Sequence, residues 1–131
     1  MRLNKGHKIV LVSVFILILD QITKFFVRKY LEVGESIGLV QNIIHFTFVS
    51  NKGSAFGLFR DAAWINLILI VTTVLVVGFL VYYLIKINKE GGKELQNKVY
   101  LISMGLIFGG AIGNLIDRLW IGYVVDFIDL R

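Results

Sequence analysis

Three apolar runs dominate this chain, and each is about as long as a bilayer is thick. They cover about residues 9–27, 62–85 and 99–116. A helix needs ~20 apolar residues to cross ~30 Å of hydrocarbon. The first run is interrupted by Asp20 and Lys24, and Phe25, Phe26 and Val27 resume it. The second has Asn66 and some threonines as its polar groups, and the third ends against Asn114, Asp117 and Arg118. Apolar residues make up 56% of the 131 and charged residues only 18%, against ~45–50% apolar in soluble domains. A soluble fold this small could not cover so much apolar surface. The chain therefore reads as one integral membrane domain, residues 1–131: an all-α bundle with three transmembrane helices.

The net charge of +5 would suit nucleic acid, but its distribution argues for a membrane. Arg2, Lys5 and Lys8 flank the first run, and Lys86, Lys89, Lys93 and Lys98 separate the second from the third. Basic residues crowd the short cytoplasmic segments of membrane proteins. The N-terminus and the 86–98 segment are then inside, where anionic headgroups are the counter-charge. The 86–98 segment, with Gly91 and Gly92, reads as a solvated loop.

The first run resembles a secretory signal, with a basic start and an apolar stretch. No small-residue cleavage site follows, and Asp20-Gln21 stands where one belongs. A retained helix is expected. There is no cysteine, and the two histidines, His7 and His45, are far apart. Disulfides, thiolate ligands and a histidine metal site are not expected.

With the N-terminus inside, the 28–61 segment is outside and the third run travels outward. Asp20, Lys24, Asn114, Asp117, Arg118 and Asp126 then gather at one depth on the extracytoplasmic side. The outer loop, about 35–60, is rich in β-branched and aromatic residues from Ile43 to Val49, a strand pattern. Asn51-Lys52-Gly53 and Gly57 supply turn chemistry, so a small extracytoplasmic β-structure is expected there.

Ionisable groups at membrane depth are costly and tend to be functional. Asp20 and Lys24 are spaced i, i+4 and can pair, as a structural ion pair, a lysine reaching the interface, or support for a site. Asn114, Asp117 and Arg118 fall at i, i+3 and i+4 and share a face, as an interfacial anchor or part of a site. Gly109, Gly110 and Gly113 permit close approach of another helix, either a neighbour in the bundle or a substrate helix. Asp126 follows Val124-Val125 and precedes Phe127. A partly desolvated carboxylate there is a candidate acid or base. Peptide hydrolysis by carboxylates uses two that share a proton, and Asp117 and Asp129 are the nearest other acids in sequence.

Four blocks together carry a resemblance. Asp20-Gln-Ile-Thr-Lys24, Asn51-Lys-Gly-Ser-Ala-Phe-Gly57, Gly109-Gly-Ala-Ile-Gly-Asn-Leu-Ile-Asp-Arg118 and Val124-Val-Asp-Phe127 resemble the lipoprotein signal peptidases (signal peptidase II) of bacteria, in the right order and over almost the whole chain. The resemblance implies a multi-pass aspartic endopeptidase of the inner membrane. Such an enzyme removes signal peptides from prolipoproteins, cutting before a diacylglyceryl-modified cysteine. It implies Asp126 as one of two catalytic aspartates and Asn51, Asn114 and Arg118 as substrate-positioning groups. Asp20, Lys24 and Asp117 would support the site, with Gly53 and Gly110 matching the remaining motif positions. The implied partners are prolipoprotein signal peptides and membrane lipids, with no nucleic acid, no metal, no organic cofactor and a monomeric state.

The family pattern also has a later Phe-Asn-x-Ala-Asp block with the second aspartate, and a fourth helix. Neither is among these 131 residues, so the resemblance implies a C-terminally incomplete chain, inactive or nearly so by itself and less stable without the fourth helix. The competing reading is a non-enzymatic small membrane protein, an assembly or transport subunit, whose charges serve helix packing and interface anchoring.

Overall fold

The computed structural model describes residues 5–40, 43–53 and 63–130. Its elements are α1 (Lys5–Tyr30), β1 (Ser36–Val40), β2 (Ile44–Asn51), α2 (Ala63–Lys89), α3 (Lys98–Trp120) and β3 (Val124–Leu130), with a 3-10 turn at Glu94–Gln96. All three expected spans are present as long apolar helices. Each exceeds its apolar run, because helical hydrogen bonding continues into the polar flanks that reach the interface.

The absence of proline leaves these helices uninterrupted. Three of their hydroxyls bond back to the preceding turn: Ser13 donates to the Ile9 carbonyl at 2.8 Å, Thr23 to Leu19 at 2.8 Å and Thr73 to Leu69 at 2.7 Å. In hydrocarbon an unpaired hydroxyl would be costly. Asn97 caps α3, accepting from the Val99 amide at 2.8 Å. At its other end, the Ile121 and Gly122 amides both donate to the Asp117 carbonyl. Gly122 has φ +80°, a conformation that turns the chain from helix into strand and that glycine tolerates best.

Helices α1 and α3 form the tight pair. Gly105, Gly109 and Gly113 lie on one face of α3 and seat α1. A Cβ at Gly109 would stand 2.8 Å from Ile16 and from the Ser13 carbonyl; one at Gly105 would strike Val12, and one at Gly113 would strike Asp20. The close helical approach expected of Gly109 and Gly113 is thus made by α1. By contrast, Gly110 points to open space. Helix α2 is apolar all round, and no residue of its most apolar 18-residue window is buried. Such a helix is at home only in lipid or against further apolar partners.

Two apolar clusters brace the bundle. At one end Ile9, Ile87, Leu95, Leu101, Met104 and Phe108 pack together. Leu95 is 3% exposed, which corrects the reading of residues 86–98 as merely solvated: the 3-10 turn tucks this side chain under the helices. At the other end Val27, Leu31, Phe48 and Val125 lie beneath the sheet.

The sheet is antiparallel, in the order β1-β2-β3. Strand β2 falls within the β-rich loop read from sequence; Gly57 lies outside the described residues. Strand β3 had not been expected. It pairs Asn51 with Val124 and Val49 with Asp126, and a bulge lies between Phe46 and Val49. The sheet therefore carries Asp126 beside the polar ends of α1 and α3.

Candidate active site at the sheet end of the bundle

Lys24 is the centre of the site. It is 2% exposed, and its ammonium has three close partners: Asp20 Oδ2 at 2.8 Å, Asp117 Oδ2 at 2.9 Å and Asn114 Oδ1 at 2.9 Å. A buried ammonium has three donors to place, and α1 and α3 supply three oxygens. The i, i+4 pairing of Asp20 with Lys24 read from sequence is present, but it is half of an interhelical cage. Gln21, not singled out from sequence, closes that cage. Its amide donates to Asp20 Oδ2 at 3.1 Å, to the Gly113 carbonyl at 3.3 Å and to Asp117 Oδ1 at 3.3 Å.

Asp117, 3% exposed, also links the cage to the sheet. Its Oδ2 accepts the Val125 amide at 3.1 Å. The residue immediately before Asp126 is thus pinned to the end of α3, and Val125 itself is 1% exposed.

Asp126 meets Asn51 across the sheet. Asn51 Nδ2 donates to Asp126 Oδ2 at 2.9 Å, and Asn51 Oδ1 accepts the Gly53 amide at 3.1 Å. Arg118 does not share the orientation of Asn114 and Asp117, as the spacing had suggested. It turns toward α2 and the 51–53 turn, donating to the Gly53 carbonyl at 3.2 Å and to Asn66 Oδ1 at 3.4 Å. Asp126 and Asp117 both lie within its electrostatic reach. Asn66, noted from sequence only as a polar interruption, donates back to the Arg118 carbonyl at 3.3 Å.

A cavity of about 420 Å³ opens beside β3, lined by Asp20, Lys24, Asn114, Asp126 and Asp129 among others. Asp129 shares this wall but accepts from Thr47 at 3.2 Å, and Thr47 contacts the Ser36 hydroxyl at 2.7 Å. Asp117 is committed to Lys24 and the Val125 amide. Among the described residues no group of three or more acidic or histidine side chains is arranged to hold a metal ion.

The structure thus joins Asp20, Lys24, Asn114 and Asp117 in one contact network and Asn51, Gly53, Arg118 and Asp126 in a second, which adjoin where the Val125 amide meets Asp117, whereas Gly110 stands apart on an open face of α3. Gln21 was legible in principle, since it lies next to Asp20 in a motif. No local signal marks Asn66, because its partner is 52 residues away.

Comparisons with known proteins bear on the family and the fold. Residues 12–131 match the family model for signal peptidase (SPase) II. A lipoprotein signal peptidase of Halothermothrix orenii is 40% identical over 121 residues, 92% of this chain and 77% of that protein. One of Caldanaerobacter subterraneus subsp. tengcongensis is 40% identical over 122 residues, 93% and 77% of the two chains. One of Halalkalibacterium halodurans is 41% identical over 119 residues, 91% and 70%. Two solved structures of bacterial membrane enzymes, obtained by the in meso method, share the fold. The one at 2.3 Å resolution has a TM-score of 0.76 and 30% identity, covering 96% of this chain and 71% of its own. The one at 1.9 Å has a TM-score of 0.70 and 28% identity, covering 95% and 74%. The motif blocks, the three apolar helices, the sheet that carries Asp126 and these relatives converge: the chain belongs to the lipoprotein signal peptidase (signal peptidase II) family of membrane peptidases.

Proposed function

We propose that this chain provides the scaffold and one catalytic carboxylate, Asp126, of an aspartic endopeptidase that removes signal peptides from prolipoproteins. Cleavage falls just before the diacylglyceryl-modified cysteine. The observation that carries this reading is the 2.9 Å hydrogen bond from Asn51 to Asp126 at the wall of a polar cavity. One carboxylate oxygen is fixed by Asn51, and the carboxylate takes a proton from water. Arg118 adds positive charge nearby. The family resemblance implies a second carboxylate, on a later block of the family pattern. It would share the proton with Asp126 and polarise the scissile carbonyl, as in paired-carboxylate peptidases generally. Water attacks directly, and no covalent intermediate forms.

Asn114 and Arg118 border the substrate, while Asp20, Lys24 and Asp117 hold the frame. The signal helix enters sideways from the bilayer, and its lipid stays there. The basic flanks of α1 and of the α2–α3 connection support a site on the extracytoplasmic side of the inner membrane, in a monomer surrounded by lipid.

The test is processing of a diacylglyceryl-modified prolipoprotein by the full-length protein. Asp126→Asn is expected to abolish cleavage, because an amide cannot take the proton from water. Cleavage retained by that variant would overturn the assignment.

A further inference from the structure

Four hydrogen bonds connect α2 to Asp126. Asn66 Oδ1 accepts from one Arg118 nitrogen at 3.4 Å, and the other donates to the Gly53 carbonyl at 3.2 Å. The Gly53 amide donates to Asn51 Oδ1 at 3.1 Å, and Asn51 Nδ2 donates to Asp126 at 2.9 Å. Each link decides the next. An asparagine amide has one acceptor end and one donor end. Once the Gly53 amide claims Oδ1, the donor end must face Asp126. The Gly53 amide stays on Oδ1 only while the 51–53 turn is held, and Arg118 holds that turn by its carbonyl. A guanidinium on a side chain this long has many rotamers. Asn66 restricts it by accepting from the guanidinium at 3.4 Å, and the Asn66 amide is itself oriented by donating to the Arg118 backbone carbonyl at 3.3 Å.

We propose that Asn66 is a positioning residue of the peptidase: it fixes Arg118 on the 51–53 turn and so directs the Asn51 amide at Asp126. The inference rests on the reading of Asp126 as catalytic, and it extends the site onto a helix that otherwise contributes only apolar surface. The bland alternative is a staple, in which Asn66 merely ties α2 to α3 through the Arg118 carbonyl. Asn66→Asp separates the two. An aspartate still accepts from the guanidinium but cannot donate to the carbonyl.

The experiment uses the full-length protein in detergent with two readouts. The first is tryptic cleavage after Lys52, an exposed residue in the turn, followed by mass spectrometry. Cleavage needs local release of the turn and no catalytic activity. Asn66→Leu is expected to accelerate it about fivefold, with Asn66→Asp staying within about twofold of the unchanged protein. The second is steady-state processing. Asn66→Leu is expected to lower kcat about tenfold with KM within about twofold, as for a displaced positioning group, and Asn66→Asp to restore it. Should Asn66→Leu fail to fold, Asn66→Lys takes its place, because an ammonium repels Arg118. Unchanged proteolysis in Asn66→Leu, or equal acceleration in the leucine and aspartate variants, would overturn the proposal. If Asp126→Asn remains active, the reading of Asp126 fails, while the proteolysis still decides whether Asn66 holds the turn.

Discussion

Lys24 on α1 and Asp117 on α3 meet at 2.9 Å, with side chains only 2% and 3% exposed. Removing one partner of such a pair leaves the other charge buried and uncompensated, at a cost of about 3–5 kcal/mol. Lys24→Met is therefore expected to destabilise the protein by about that much, read as loss of the folded fraction in detergent on heating. The double variant Lys24→Met, Asp117→Leu is expected to be less damaged than the sum of the single changes. Additive losses would show that the two residues act independently.

Gly109 and Gly110 are neighbours in sequence with opposite surroundings. Gly109→Leu forces a side chain into Ile16 and the Ser13 backbone, and overpacking of this kind costs about 1–3 kcal/mol. Gly110→Leu meets open space, so its thermal stability is expected to stay within about 0.5 kcal/mol of the unchanged protein. If the open face of α3 receives the signal helix, Gly110→Leu nevertheless lowers processing about tenfold or more. A folded and fully active Gly110→Leu would place the substrate elsewhere.

Asn51 donates a side-chain hydrogen bond to Asp126 at 2.9 Å. Asn51→Leu removes the donor and also frees the Gly53 amide. The expected outcome is a fall in kcat of about 10²-fold, comparable with loss of other preorganised polar groups, while circular dichroism reports unchanged helix content. Normal turnover by Asn51→Leu would show that this hydrogen bond is dispensable.

Val125 fills the cluster beneath the sheet at 1% exposure. Val125→Ala is expected to cost about 2 kcal/mol through the cavity it leaves, measured by thermal unfolding. Because its amide still donates to Asp117, activity at low temperature is expected to persist.

The helices were legible because their signal is local: apolar length alone marks α1, α2 and α3. The ion pair of Asp20 with Lys24 was legible for the same reason, since helical spacing places them on one face. Contacts between elements were not. The identity of the helix seated on Gly109 and Gly113, and the part played by Gly105, depend on how α1 lies against α3. Arg118 shares a helical face with Asn114 in spacing, yet its long side chain reaches round to Asn66 on another helix. Strand β3 escaped notice because Val124 to Leu130 alternates imperfectly, and it becomes a strand only by pairing with β2. Leu95 sits in a polar segment whose composition hides its burial.

The bond between the Asp117 carboxylate and the Val125 amide has a consequence for where chemistry takes place. Strand β3 hangs from the end of a membrane helix, not from a free loop. The level of Asp126 is therefore measured from the end of α3, whose own depth in a bilayer follows from the apolar length of its span. If Asp126 is the cutting residue, as proposed, the protein would work as a depth gauge: a bond would be hydrolysed when presented at that level, and the membrane would take part in choosing it.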